Sequence, residues 1–256
     1  MIETKSNITQ TLLDQLQEKA PKVAFMPDAE IVSAIRYLED KGIPNNKHED
    51  YKYCNIEAVL RKEFKTIEQS FNELTNVDIA PLKIDEAINL VVVNGVYSEE
   101  LSEKMIVKGL TVNSLNELSS SEKALLCSQA KSDTDALIAL NTAFSANGLF
   151  LQIDKNNIIP MPLHVIYVNS GNANFVTNTR SFINVQANAQ ATLIESFYNI
   201  GTAKVFSNFV SEKFVGENAK LTCHTFQNEG ALSYSVNTNQ VKINKYSNYS
   251  NTTMTL

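Results

Sequence analysis

The chain has 256 residues, 43% of them apolar, a net charge of −6 and no tryptophan. That length and apolar content suffice for one large domain or two modest ones. The acidic balance argues against nucleic acid or an anionic membrane surface as partner, and no apolar run is long enough for a transmembrane helix. The first residues, Met1 to Ser6, carry no apolar signal segment. Cys54, Cys127 and Cys223 are scattered with no CxxC pair, so reduced thiols in a cytoplasmic protein are expected.

In chain order, Ile8, Leu12, Leu13 and Leu16 share one helical face, and Pro21 ends that pattern. Asp28 can cap a second helix carrying an Ile31, Ala34, Ile35 and Leu38 stripe, stopped by Gly42 and Pro44. A charged, aromatic stretch from Gly42 to Cys54 leads into a helix containing Ile56, Val59, Leu60 and Phe64. Residues from Thr66 to Glu86 are poorly patterned and read as a connection. Leu90 to Val93 reads as a buried strand, followed by a tight turn at Asn94-Gly95. Ile106-Val107 and Leu110 to Val112 read as short strands. Ser119 and Glu122 have capping-box spacing for a helix through Ala130. Ser132 or Asp133 is expected to start the next helix, with Leu137, Leu140 and Phe144 on one face and Gly148 at its end. Leu149 to Ile153 returns to strand.

From Ile158 onward the chain is rich in Asn, Thr and Ser, with short apolar alternations at Leu163–Val168, Ser181–Val185, Ala191–Ile194, Val205–Val210 and Ala219–Phe226. Asn188 to Leu193 echoes Glu217 to Leu221, and Leu193 and Leu221 lie 28 residues apart. A loose repeat of that size predicts a solenoid, although strands at this spacing also fit an antiparallel sandwich. Asn at the turns favours stacked coils, because it tolerates left-handed backbone and its amide can stack on the next coil. The fold expected is mainly β with a helical N-terminal region, divided into residues 1–86 and a β-helix core at 87–256.

Residues able to do chemistry are sparse. His48 beside Glu49, and His164 between Leu163 and Val165, read as structural histidines, because neither has a second ligand at metal spacing. Cys223-His224 is the adjacent thiol and imidazole and forms a weak metal candidate. Neighbours on a strand point to opposite faces, however, and Cys223 shares its face with Leu221. There is no GxSxG, GxxxxGK[ST], GxGxxG or HExxH motif. Asp133, Asp135 and Glu195 are too isolated to form a glycosidase-type pair. Asn251-Thr252-Thr253 matches the glycosylation pattern, which a cytoplasmic protein would not use. The residues describe a scaffold rather than an enzyme.

Three stretches carry a resemblance to a known family. Gly42-Ile43-Pro44 through Lys47-His48-Glu49-Asp50-Tyr51-Lys52-Tyr53 resembles the G-[IL]-P-x-x-K-x-E-x-[WY]-[KR]-Y motif of the SufB/SufD family, with Tyr51 where Trp is usual. Asp135 to Phe144, with Gly148 and Ile153, is similar to that family's D-x-[FL]-x-x-L-N-x-A-x(4)-G-x-x-[IL]-x-[IV] pattern. Arg180 through Asn188-Ala189 to Ile194-Glu195 resembles its R-x-x-[IV]-x-[VA]-x(3)-A-x-x-x-[IL]-[IV]-E segment, continued by Phe206-Ser207-Asn208, Glu212 and Ala219-Lys220-Leu221. The resemblance implies a right-handed parallel β-helix and a non-catalytic scaffold in SUF iron–sulfur cluster assembly, with SufB and SufC as partners. The cluster would then belong to the complex, and ATP would enter through SufC. No catalytic or cluster-ligand residue carries over. Family members continue with further coils and SufC-docking helices, so a chain ending mid-strand at Leu256 is expected to be incomplete there and to self-associate through its open end. Two other classes stay open at this stage: a carbohydrate-active β-helix enzyme, and a β-solenoid interaction protein unrelated to iron–sulfur chemistry.

Overall fold

The computed structural model describes residues 7–19, 23, 25–64, 73–145 and 147–256. The chain opens with helices α1 (Asn7–Lys19), α2 (Asp28–Lys41) and α3 (Ile56–Glu63). Leu12 and Leu13 of α1 are buried with Ala34, Leu38, Ile56 and Leu60, so the apolar stripes face one another. The side chains of Ile8 and Leu16, Pro21 and the start of the connection at Thr66 lie outside the described residues. Pro27, rather than Asp28, occupies the cap of α2, and Asp28 sits in its first turn, where a carboxylate still complements the helix dipole. Gly42 ends α2 at φ 75°, its N–H returning to the Leu38 carbonyl at 2.8 Å. The expected connection contains a short helix, α4 (Asn76–Ile79), opened by a Thr75–Asp78 capping box.

Strand β1 (Ile88–Val93) turns at Asn94-Gly95 into β2 (Val96–Ser98), with φ 48° and 83° at the two turn residues, as that dipeptide demands. β3 (Leu110–Ser114) follows; Ile106-Val107 is not a strand, and Ile106 stands fully in solvent. Next come α5 (Ser120–Lys123) and α6 (Ala136–Phe144). The Ser119–Glu122 capping box is present, but the helix stops well before Ala130, because Cys127 is held at φ 59°. Asp135, not Ser132 or Asp133, caps α6, accepting from Leu137 N at 2.8 Å and Ile138 N at 3.1 Å. Gly148 does not end α6 but opens β4 (Gly148–Ile153), where a Cβ would lie 2.1 Å from the Arg180 carbonyl.

From β4 onward the strands alternate between two sheets. β5 (Leu163–Gly171), β7 (Gln190–Gly201), β9 (Lys220–Asn228) and β11 (Asn248–Thr255) join β1 and β2 in a first sheet, in the order β11-β9-β7-β5-β1-β2. β6 (Phe175–Val185), β8 (Val205–Val215) and β10 (Ser233–Ile243) join β4 and β3 in a second, in the order β10-β8-β6-β4-β3. Pairing along the stack is parallel; the antiparallel pairs among the described residues are β1 with β2 and β3 with β4. The sandwich alternative is therefore overturned: the second half is a parallel β-helix of two-strand coils.

Register corrects the repeat. Phe175 pairs with Val205 and Gln190 with Lys220, a period of 30 residues. Leu193 faces Cys223, not Leu221, which faces Ala191. The 28-residue spacing belongs to the last coil, where Ser233 faces Val205 and Asn248 faces Lys220.

The turns explain the Asn content. Asn156, Asn188 and Asn218 all lie at φ 56° to 65°. Asn188 Nδ2 donates to Asn156 Oδ1 at 2.8 Å, and Asn218 Nδ2 to Asn188 Oδ1 at 2.9 Å. Their backbone N–H groups donate to turn carbonyls one coil on, those of Ala187, Glu217 and Lys245. Tyr246 continues the left-handed position at φ 59° without an amide. Between the sheets, Leu149, Leu151, Val165, Ile183, Val185, Leu193 and Val215 fill the stack, each worth roughly 1.5–3 kcal/mol when fully buried. On the outer face of the second sheet, Phe150 stacks on Phe182 at 5.7 Å, and Phe182 meets Phe214 at 5.2 Å. Helices α1 to α3 and α6 cover Val176 and Phe206 on the same face.

Replacing Asn188 tests the ladder. N188A removes two amide bonds and forces a Cβ residue without side-chain compensation into left-handed backbone, which costs about 1–2 kcal/mol in conformation alone. N188G is expected to lose less, as read by the urea midpoint; an N188A midpoint equal to the parent's would refute the ladder's contribution.

Candidate functional site: the open end of the coil stack and its polar lumen

Strands β10 and β11 form the last coil. One edge of each pairs with β8 or β9, and no strand among the described residues pairs with the other. Strand edges of this kind accept a further parallel strand. β11 is exposed along almost its whole length.

Behind this edge the lumen changes character. The inward column Val165–Glu195–Thr225–Thr253 runs from apolar to polar, and so does Leu163–Leu193–Cys223–Asn251. On the opposite wall Ile183 gives way to Lys213. Lys213 Nζ donates to Glu195 Oε2 at 3.0 Å and to Asn239 Oδ1 at 2.6 Å, with both charged side chains almost fully buried. Glu195 Oε1 and Asn237 Oδ1 have no protein partner. Both residues line a cavity of about 250 Å³ with Thr225, Gln227 and Thr253. Its floor is aromatic: Phe197 and Phe209 line it 5.0 Å apart, and Tyr167 packs on both at 4.8 and 4.9 Å. Glu195 is therefore not the isolated carboxylate its sequence context implies; Lys213, 18 positions on, neutralises it across the lumen.

The expected site residues separate. Cys223 faces the lumen and is buried; burial pushes its thiol up to about 12, opposed by Lys213. His224 points the other way and is half-buried on the outer face. No group of three or more His, Cys, Asp or Glu side chains suited to a metal occurs among the described residues. His48 Nδ1 accepts from Asn45 N at 3.2 Å in an exposed loop. His164 is fully buried on the outer side of the first sheet. Its Nδ1–H donates to Asn89 Oδ1 at 2.7 Å, and its Nε2 accepts from the Ser196 hydroxyl at 2.9 Å. Asn89 Nδ2 donates in turn to Glu103 Oε1 at 3.0 Å. Serine, imidazole and amide are thus in line as in a hydrolase relay, yet all three are buried, which leaves a tie between β1, β5 and β7.

Sequence reasoning missed the polar clamp that docks the N-terminal region on the second sheet. Glu212, fully buried, pairs with Arg180 at 2.5 Å and accepts from Cys127 N, Gln129 N and Ala130 N at 2.9–3.2 Å. This carboxylate halts α5, because it claims the N–H groups that a continued helix would use. Cys127 is left as a buried thiol raised to about 11 by desolvation. Asn141 of α6 donates to the Thr179 and Asn208 carbonyls at 2.8 and 3.0 Å. Asn208 Nδ2 returns a bond to the Leu137 carbonyl at 2.8 Å. A lone Asn in the apolar run Ala136–Phe144 was the available signal.

Comparison with known families covers both halves of the chain. Residues 14–165 match the SufBD protein N-terminal region, and residues 167–256 match the SUF system FeS cluster assembly SufBD core domain. The chain belongs to the SufBD family. It is 25% identical to an iron-sulfur cluster assembly SufBD family protein of Synechocystis over 93% of this chain and 56% of that protein. It is 23% identical to the iron-sulfur cluster assembly protein SufD of Escherichia coli (78% of this chain, 46% of the relative). For SufD of Bacillus subtilis the identity is 25%, over 90% of this chain and 55% of the relative. The chain spans about half the length of these relatives. In this SufBD chain the two matched regions meet inside β5, and β1 of the first pairs with β5 along its whole length, so both share one sheet.

Two outcomes test the buried groups of this SufBD fold. Burial holds His164 near about 4, against an ordinary value of 6.5, with Glu103 opposing. Unfolding therefore takes up a proton the folded state refuses, and stability falls as pH drops from about 6.5 to about 4, by up to about 1.4 kcal/mol per pH unit. H164Q is expected to flatten that window in urea titrations; an unchanged slope sinks the assignment. K213M leaves a buried carboxylate unpaired and is expected to cost about 3–5 kcal/mol, whereas E195M/K213M recovers most of it. Equal losses in single and double variants would show that the pair does not govern lumen stability.

Proposed function

We propose that this chain is a non-catalytic scaffold subunit of the SUF assembly complex, acting with SufB and SufC in iron–sulfur cluster assembly and iron acquisition in the cytoplasm. The observation that carries the reading is the match to both SufBD regions, which together span residues 14–256. Two relatives are named SufD, iron-sulfur cluster assembly proteins. Among the described residues no helix is long and apolar enough to cross a membrane. A stack of parallel coils suits such a role: it is rigid, and its last strands offer unpaired backbone on which a sister β-helix can continue the sheet. ATP hydrolysis by SufC would then bias a stiff junction between two states. The cluster itself belongs to the complex rather than to this chain, whose Cys223 and His224 stand on opposite faces. A second copy can use the same edge, giving a homodimer.

Co-expression with SufB and SufC from the same source, one of them tagged, tests the assignment. This chain is expected to co-purify and to raise cluster yield in anaerobic reconstitution. Recovery of SufB with SufC while this chain stays behind as a free monomer by light scattering would overturn it.

A further inference from the structure

In the Gly42–Tyr53 motif, Ile43 and Tyr51 pack with the helices that cover Val176 and Phe206, and the polar residues between them are left at the surface. Gly42 to Pro44 is held against α3 by the bond from Glu57 N to the Pro44 carbonyl at 2.9 Å, and Ile43 is buried. The polar residues that follow border a cleft of about 500 Å³ between the 45–47 turn and α3. That volume lies within the range of small-molecule sites. Its cations are Lys47, Arg61 and Lys62, and its amides include Asn45 and Asn46. The lining carboxylate is Glu57, whose two oxygens are already engaged, Oε2 by Asn45 Nδ2 at 2.7 Å and Oε1 by Arg61. Lys62 contacts Glu63 at 3.2 Å, and Glu63 in turn holds Lys204 at 2.5 Å, so the second carboxylate is also matched. Counting Lys204 and Glu63 with the lining, four cations face two carboxylates.

That local excess sits on a chain of net charge −6. The Asn45 turn is fixed as well, since Lys47 N donates to Asn45 Oδ1 at 3.0 Å and His48 N to the Asn45 carbonyl at 3.0 Å. Lys47 and the Asn46 side chain have no partner among the described residues, and Arg61 keeps further N–H donors beyond its bond to Glu57, a set that suits a ligand bringing oxygens and negative charge. We infer that this cleft binds a small oxyanion of two or more charges, held by Lys47, Arg61 and the Asn46 amide. The bulk charge disfavours an extended polyanion, and the cleft is too small for one. This reading does not rest on the assembly role, because it uses only side chains of the 45–47 turn and α3.

Titration of the isotope-labelled full chain, followed by backbone amide shifts and calorimetry, tests the site with two probes: inorganic pyrophosphate and citrate. Saturable one-to-one binding is expected, with shifts confined to residues 45–62 and affinity falling roughly tenfold or more between about 0.02 M and about 0.3 M salt. Pyrophosphate alone marks a phosphate site, citrate alone a carboxylate site, and both a general polyanion site. K47Q, which alters an exposed side chain, is expected to weaken binding several-fold, and K47Q/R61Q at least about tenfold. K242Q/K245Q, on distant exposed lysines, is expected to change nothing. Absence of saturation by both probes at about 10 mM, or an equal loss in K242Q/K245Q, would falsify the site. Thermal midpoints of all variants are read alongside. Should K47Q/R61Q unfold, K47Q alone decides: unchanged binding overturns the inference.

Discussion

Everything in the second half depends on stacking each coil directly on the equivalent residues of the one before. With parallel register held at 30 residues over two successive coils, a side chain meets its counterpart about one strand spacing away. A position is thus chosen for its neighbours above and below as much as for its own environment. Apolar positions become columns, and Asn at a left-handed turn becomes an amide ladder. The turn is the most demanding point, since backbone there must adopt positive φ while its N–H still finds a carbonyl in the next coil. Asn meets both demands at once, which accounts for a composition that at first suggests loops.

The same rule makes buried charge consequential. Inside the lumen, Lys213 and Glu195 stand on opposite walls; outside, Arg180 and Glu212 stand one coil apart on the second sheet. A buried pair of this kind contributes little net stability over an apolar pair of equal volume, but losing one member is costly. What each pair fixes is position. Glu212 gathers three backbone N–H groups of the 127–130 segment, so the N-terminal region seats on one coil and not the next. Docking by a carboxylate is register-specific in a way that docking by the Phe150, Phe182 and Phe214 face is not, because a ring recurs on each of β4, β6 and β8.

Much of this was legible in the residues. Leu90–Val93, Asn94-Gly95 and the Ser119 capping box announced their local structure, because each rests on interactions within a few positions. Stacked coils were inferable from Asn-punctuated alternation. Their period was not, because Leu193 and Leu221 look equivalent while the register sets Leu193 on Cys223. Strand β10 leaves no apolar alternation in the residues, and β11 shows only as a strand running to Leu256, because both are polar and held by pairing rather than by an apolar face. Helix α5 was drawn too long, since Glu212, which ends it, lies 85 positions from Cys127. The candidate site was least legible for the same reason: Glu195 and Lys213 acquire meaning only when two walls of one coil face each other.

Those distant pairings also close two chemistries that the residue types invite. A hydrolytic relay needs its serine open to substrate, and here Ser196 and His164 are buried on the outer side of the first sheet. Reactive thiols need a lowered pKa and access, whereas Cys127 and Cys223 are buried and pushed upward. What the described fold presents is a stack of parallel coils whose helical region is locked in register at one point. In such a body parallel coils joined by ladders of hydrogen bonds cannot slide past one another without breaking every rung together.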